Sequence, residues 1–270
     1  MADLLSSVFS LTVMRYALIV GVPVALCAAL LGVLLVLRRY AMIGDGLSHV
    51  GFGALSVAYA LNLAPMAVAV PVVILAAFLL LGLSGSRRLR GDSAIAVLSS
   101  SALALGVVAN SLAGGSATDL SGYLFGSILT LTRADVVLSV SLSAVVILLF
   151  VLFKNRIFAV TFDEPFAKSA GVRVGLYNGL LALLIAVTVV VGMRIVGTML
   201  ISSLIIFPAL GAMQLAGSFR GVVLLSALIS VVSFLLGLLF AMTLPAGATI
   251  VLCNLAALLI CTVLGKVVKH

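Results

Sequence analysis

Asp45 and His49 stand four residues apart in the stretch Met42-Ile43-Gly44-Asp45-Gly46-Leu47-Ser48-His49, a spacing that puts both side chains on one face of a helix. A carboxylate and an imidazole stacked in this way make half of a hard-to-borderline divalent metal site, because zinc takes nitrogen and oxygen ligands and manganese favours carboxylate with some imidazole. The chain has two histidines, and the other is the last residue, His270. Two ligands are too few for a selective site. Closing a homodimer about a two-fold axis would gather two copies of each and supply four donors of the right type. Other uses of the pair stay open. Asp45 could cap a helix beginning near Gly46 while His49 bonds a neighbouring helix, or the two could relay protons in a secondary transporter. Few other groups remain for such a relay, since Asp3, Asp92, Asp119, Asp135, Asp163 and Glu164 fall at span ends or in loops. Glycines at 44, 46, 51 and 53 suit close helix packing and equally a pathway lined by main chain.

The elements that must hold this pair are membrane helices. The 270 residues are 64% hydrophobic and 8% charged, and the mean hydropathy is +1.45, far outside the range of soluble domains. Apolar runs of about 20 residues, enough to cross a hydrocarbon core of roughly 30 Å, recur along the chain. They are apolar all round rather than alternating, which implies helices and not a barrel. The fold class is all-α, a polytopic membrane protein of about eight to nine transmembrane helices, with candidate spans near 11–37, 42–61, 66–83, 93–113, 134–153, 176–193, 196–215, 221–242 and 247–265. The boundary at 192–197 reads as either a tight loop or a break within packed helices. With a second span starting just after Arg39, His49 falls roughly 15 Å along it, near the bilayer centre. An ionisable group at that depth costs at least about 2.5 to 3.5 kcal/mol and normally faces a polar interior for a function.

The basic residues give the orientation. Arg38, Arg39, Arg87, Arg88, Arg90, Lys154, Arg156, Lys168, Arg173, Arg220, Lys266 and Lys269 fall on one side, and Arg15, Arg133 and Arg194 on the other. Positive charge collects in cytoplasmic loops, so the N-terminus is expected outside and the C-terminus inside the cell membrane. The net charge of +8 therefore carries no nucleic-acid role. The first apolar run is too long for a signal-peptide core and ends in Arg38-Arg39, so it reads as a retained span. Cys27, Cys253 and Cys261 sit singly in apolar helices and read as small hydrophobes.

Two loops exceed simple turns. The outer one, 114–133, holds Asp119-Leu120-Ser121-Gly122-Tyr123-Leu124-Phe125-Gly126, a piece suited to a re-entrant or interfacial helix. In the inner one, 154–174, Phe162, Phe166 and Ala170 recur at helical spacing while Asp163, Glu164 and Lys168 face elsewhere, the pattern of a short amphipathic helix limited by Pro165 and Gly171. Such a helix could lie on the membrane surface or dock into a groove on a cytosolic partner. The chain reads as one domain over 1–270. It has no GxxxxGK[ST] phosphate loop, no HExxH and no second internal histidine for a Ser-His-Asp group, so it is expected not to be an enzyme and to draw energy for uphill transport from a partner or an ion gradient.

Four segments resemble one family. Arg38-Arg39-Tyr40-Ala41-Met42-Ile43-Gly44-Asp45-Gly46-Leu47-Ser48-His49 is similar to the basic, then Gly-Asp-x-x-Ser/Ala-His stretch in the permease subunits of zinc and manganese ABC importers. The 119–126 segment resembles that family's Asp-Leu…Tyr-Leu-Phe-Gly, 162–172 its cytoplasmic coupling segment, and 196–201 through 204–209 its Val-Gly…Leu-Leu-Ile-Ile-Pro-Ala stretch. The resemblance implies a permease that pairs as a homodimer, binds two cytosolic ATPase subunits through the coupling segment, and receives zinc or manganese from an extracytoplasmic metal-binding protein. It implies Asp45 and His49 as metal-pathway ligands, a coupling role for Phe162, Asp163, Glu164, Phe166, Ala170 and Gly171, and no resident cofactor. There is no histidine-rich loop of the kind expected in a zinc-dedicated member, which leaves the metal open. An iron-chelate permease, a proton-coupled secondary transporter and a structural membrane scaffold are the alternatives.

Overall fold

Lipid tails are as apolar as leucine, so helices in a bilayer gain little by hiding leucines from their surroundings and associate instead through close backbone approach and interhelical hydrogen bonds. The computed structural model describes residues 12–84, 91–114, 126, 132–198, 201–241 and 244–268. Among these residues it has ten helices: α1 (Thr12–Leu37), α2 (Ile43–Ala60), α3 (Pro65–Ser84), α4 (Gly91–Leu112), α5 (Arg133–Phe162), α6 (Glu164–Ser169), α7 (Val174–Val196), α8 (Ile201–Leu215), α9 (Phe219–Phe240) and α10 (Ala246–Val268). Nine of them answer to the nine apolar runs, and α6 to the short helix of the inner loop. Seven are long and apolar enough to cross a membrane unaided. The exceptions are α2, whose apolar run is interrupted by Asp45, Ser48 and His49, and α8, which has 15 residues, about 22 Å of helix. The segment around 119–126 lies outside the described residues except for Gly126.

The hub is α1, which packs against α5, α7, α8 and α9 and buries Val20, Val24, Ala25, Ala28, Leu31 and Leu34. Its contact with α9 is made by a row of serines, Ser226, Ser230 and Ser233, all buried. Ser230 Oγ donates to the Ala25 carbonyl at 2.9 Å and Ser226 Oγ to the Ala29 carbonyl at 3.4 Å, interactions worth roughly 0.6 kcal/mol each in a membrane. Glycines set the closest crossings. A Cβ at Gly32 would overlap the Ile205 carbonyl of α8, and one at Gly53 of α2 would overlap the Ala102 backbone of α4. The perimeter carries bare apolar side chains, among them Leu148 and Leu152 of α5, Leu228 of α9 and Leu259 of α10.

Several element ends depart from the hydropathy pattern. The α5 helix runs 30 residues to Phe162 where the apolar run stops near 153, because Lys154, Asn155 and Arg156 end the contact with lipid without breaking the backbone ladder. At about 45 Å it exceeds the hydrocarbon thickness by roughly 15 Å. Its start is a capping box, with the Asp135 amide donating to Thr132 Oγ1 at 3.2 Å and the Thr132 amide to Asp135 Oδ2 at 3.1 Å. The same Oδ2 accepts Arg194 Nη2 at 2.8 Å, tying the start of α5 to the end of α7. The uncertain 192–197 boundary resolves as continued helix through Val196 and a stop at Gly197, φ 95°. The α1–α2 turn puts Arg39 in the left-handed region, φ 61°, with the Tyr40 amide donating to the Leu35 carbonyl at 2.9 Å and the Arg39 amide to the Val36 carbonyl at 3.1 Å. That is a Schellman closure with arginine at the glycine position, costing about 1 to 2 kcal/mol.

Gly82 of α3 has open space where a Cβ would stand, which gives a control for the α2–α4 crossing. Gly53→Leu is expected to destabilise by about 1 to 3 kcal/mol or more through overpacking, lowering the melting temperature and the monodisperse fraction in detergent, while Gly82→Leu leaves both near wild type.

Candidate functional site

The α2 helix starts at Ile43 with Met42 as its N-cap and no side-chain capping bond, so Asp45 lies inside the first turn and does not cap. Its carboxylate has two neighbours. Oδ2 stands 3.6 Å from His49 Nε2, too long for a hydrogen bond, and Oδ1 accepts Ser202 Oγ of α8 at 3.2 Å. Ser48 Oγ donates to the Asp45 main-chain carbonyl at 2.7 Å. The His49 side chain is 14% exposed and that of Asp45 is 33% exposed, while His49 Nδ1 is buried with no hydrogen-bond partner. A carboxylate and an imidazole held side by side, each with unspent lone pairs, are the donor set of a zinc or manganese site. Among the described residues no third His, Cys, Asp or Glu joins them.

The depth of the pair follows from packing. Gly192, Ile201 and Val24 meet, and Val24 is at the midpoint of the 26-residue α1. One turn further into α8, Ile205 lies against both Gly32 and Gly44. Ser202 and Asp45 therefore sit between the midpoint of α1 and its Arg38 end, with His49 one helical turn closer to the middle. The glycines around them are occupied by protein: Gly44 faces Ile205, Gly46 faces Ile95 and Ser99, Gly51 faces Met193 and Val73, and Gly53 faces Ala102. Of the two readings of that glycine stripe, the structure has the packing one.

The second region lies at the Arg38 end. Asp163 caps α6, its Oδ1 accepting the Phe166 amide at 2.9 Å. Ala167 is buried and anchors the helix, whereas Phe162 and Phe166 are 70% and 65% exposed. Glu164 and Ala170 are also exposed. Gly171, φ 78°, ends the helix, with the Val172 amide donating back to the Ala167 carbonyl at 3.0 Å. Two aromatic rings bare to the surroundings on a rigid projection are what a docking face needs. Next to it a 410 Å³ hollow is lined by Gly171, Arg156, Arg173 and Tyr177, where Arg156 Nη1 donates to the Tyr177 hydroxyl at 2.8 Å.

One side chain joins the two regions. Arg38, seven residues before Asp45, donates from Nε to Thr161 Oγ1 at 3.2 Å and from Nη1 to Asn178 Oδ1 at 2.8 Å. It thereby ties the end of α1 to the last turn of α5, two residues before the α6 cap, and to the first turns of α7. Burial lowers the pKa of its guanidinium, opposed by the carboxylate of Glu164 and by Tyr40. Ser202, Thr161 and Asn178 are the members that sequence reasoning missed. A pair of serines, Ser202-Ser203, opening an apolar helix is a usable signal for the first. The other two are single polar residues at helix ends with nothing in their spacing to mark them.

The chain matches the ABC 3 transport family over residues 10–265. It is 31% identical over 241 residues to the manganese import system permease protein ScaB of Streptococcus gordonii, covering 88% of this chain and 86% of that protein. Its fold is similar to that of a chain in the solved structure of PsaBC from Streptococcus pneumoniae in complex with Fab, with a TM-score of 0.86 and 31% identity over 96% of this chain and 94% of that one. A further solved protein, described as an inward-facing metal-chelate type ABC transporter, has a TM-score of 0.74 at 17% identity over 93% of this chain and 85% of that one, a likeness of fold alone.

Proposed function

The chain belongs to the ABC 3 transport family and is the membrane-spanning permease of a metal-ion ABC importer, and from that premise we propose that manganese is its cargo and that Asp45 and His49 are the groups the ion meets inside the bilayer. The observation that carries the assignment is the pair itself: an aspartate and a histidine within 3.6 Å of each other, half-buried in an apolar bundle, with the aspartate steadied by Ser202. Manganese as cargo rests on the named function of the Streptococcus gordonii relative and on a donor set without thiolate. Zinc shares those donors and is the competitor.

Two donors from one chain leave the ion under-coordinated. A second copy about a two-fold axis supplies two more and places the path on that axis. Ligation of this kind holds the ion well enough to select it and loosely enough to release it. The chain has no phosphate loop, so ATP is hydrolysed by cytosolic subunits that seat on the exposed Phe162 and Phe166 face, with Asp163, Glu164, Ala170 and Gly171 shaping the α6 projection. The basic residues at that end make it cytoplasmic, which puts the N-terminus outside and the C-terminus inside. An extracytoplasmic metal-binding protein delivers the ion to the opposite mouth.

Arg38 transmits the motion. When the ATPase subunits move α6, the displacement reaches Thr161 and Asn178 and, through Arg38, the short turn that leads to Asp45.

Uptake into proteoliposomes holding the permease, its ATPase and its binding protein tests the ligand assignment. Asp45→Ala and His49→Ala are each expected to cut manganese uptake by roughly 100-fold or more, the scale of losing a group that contacts the ion directly, with ATP hydrolysis retained; wild-type uptake in either variant would remove that residue from the path. For Arg38→Ala the expected result is ATP hydrolysis at near wild-type rate with about 100-fold less metal moved per ATP, from loss of two charge-assisted bonds. Arg38→Lys, which can restore one of the two, recovers part of the ratio, and an unchanged ratio in Arg38→Ala would show that the motion bypasses it.

A further inference from the structure

A groove of about 480 Å³ opens between α5 and α9 at the Arg38 end of the bundle. Its walls are ordered by depth. Phe150 and Leu224 line the part nearer the membrane interior, Lys154 and Arg220 follow one helical turn further out, and Phe158 with Ser218 and Phe219 closes the end beyond them. Neither cation is paired with a described carboxylate, and Lys154 and Arg220 are exposed. The apolar wall does not stop at the groove, since Leu148 and Leu152 of α5 and Leu228 of α9 carry it up the lipid-facing perimeter. Phe158 stacks on Phe219 with ring centroids 4.3 Å apart, which closes the end beyond the cations.

Two cations, a hydroxyl and an apolar slot continuous with the bilayer surface match a molecule with an anionic head and hydrocarbon tails. Lys154 lies 21 residues after Arg133 on α5, about 32 Å along a helix that starts at the opposite face, which is headgroup depth. We infer that this groove binds an anionic phospholipid of the leaflet on the α6 side, its phosphate between Lys154 and Arg220 and one acyl chain along Phe150 and Leu224. Clustered basic side chains between transmembrane helices at this level hold anionic headgroups at about 1 kcal/mol per cation. A cytosolic partner would find the apolar half of the groove sunk below the headgroups. A zwitterionic lipid would leave the paired cations facing a neutral head.

The site is tested by native mass spectrometry of the delipidated full chain titrated with phosphatidylglycerol or phosphatidylcholine, read beside its oligomeric state. The wild type is expected to bind the first phosphatidylglycerol roughly 30-fold more tightly than phosphatidylcholine, two cations' worth. Lys154→Gln with Arg220→Gln is expected to abolish the preference, and Lys154→Arg with Arg220→Lys to keep it, which separates loss of charge from loss of fold. Equal binding of the two lipids by the wild type, or a preference that survives the glutamine pair, would overturn the assignment. So would a glutamine pair that splits a dimer without changing lipid preference, since a second copy would then cover the groove.

Discussion

Charged and polar groups inside a bilayer have to be turned away from lipid, toward protein or a water-filled cavity, and that requirement at Asp45 and His49 shapes most of what surrounds them. The α2 helix that bears them is the least apolar of the long helices and among the most buried: thirteen of its residues are enclosed, from Ile43 to Ala58. Enclosure of so many residues on one helix leaves little room for side chains. Glycine at 44, 46, 51 and 53 lets side chains of α4, α7 and α8, and at Gly53 the α4 main chain, come close enough to shut out lipid. The short α8 follows from the same need, because it begins at the level of the pair rather than at the membrane surface and so brings Ser202 to the Asp45 carboxylate.

Much of this is written in hydropathy and local spacing. Nine apolar runs give nine helices, and the i, i+4 relation of Asp45 and His49 is enough to put them in contact. Spacing also marks the projecting face at Phe162 and Phe166, although the two rings belong to different helices, the first ending α5 and the second inside α6. What the sequence hides is of two kinds. Helix ends beyond the lipid are set by backbone hydrogen bonds that need no apolar side chain, so α5 runs past Lys154 and Arg156 without any change in periodicity to announce it. Long-range polar contacts are invisible for a different reason: Arg38 finds Thr161 and Asn178 across 123 and 140 residues, and the pattern around each gives no hint of the other. Arg38 reads in sequence as one more topology-setting cation, and in the fold it is half-buried and bonded to two helices.

The two working regions are also unlike in how they are stabilised. Around Asp45 and His49 the contacts are glycine backbone packed against the side chains of Ile205, Ile95 and Met193 and against the Ala102 main chain, with little freedom to yield by small steps. At the α6 end they are a few directed hydrogen bonds and stacked rings, Phe158 against both Phe162 and Phe219, which can break and re-form. A membrane permease that must change access is served by that division, stiff in the middle of the bundle and yielding at its end.

The length of α5 has its own mechanical meaning. Its 30 residues form one unbroken rod whose first turn is pinned by the Arg194 and Asp135 ion pair at 2.8 Å and whose far end carries the α6 projection. With the pinned end as fulcrum, the rod is a lever about 45 Å long. A tilt of about 5° then sweeps the far tip through about 4 Å, about three-quarters of a helical turn, while the ion pair scarcely moves. Small angular changes at one face of the bilayer and large excursions at the other become the same event.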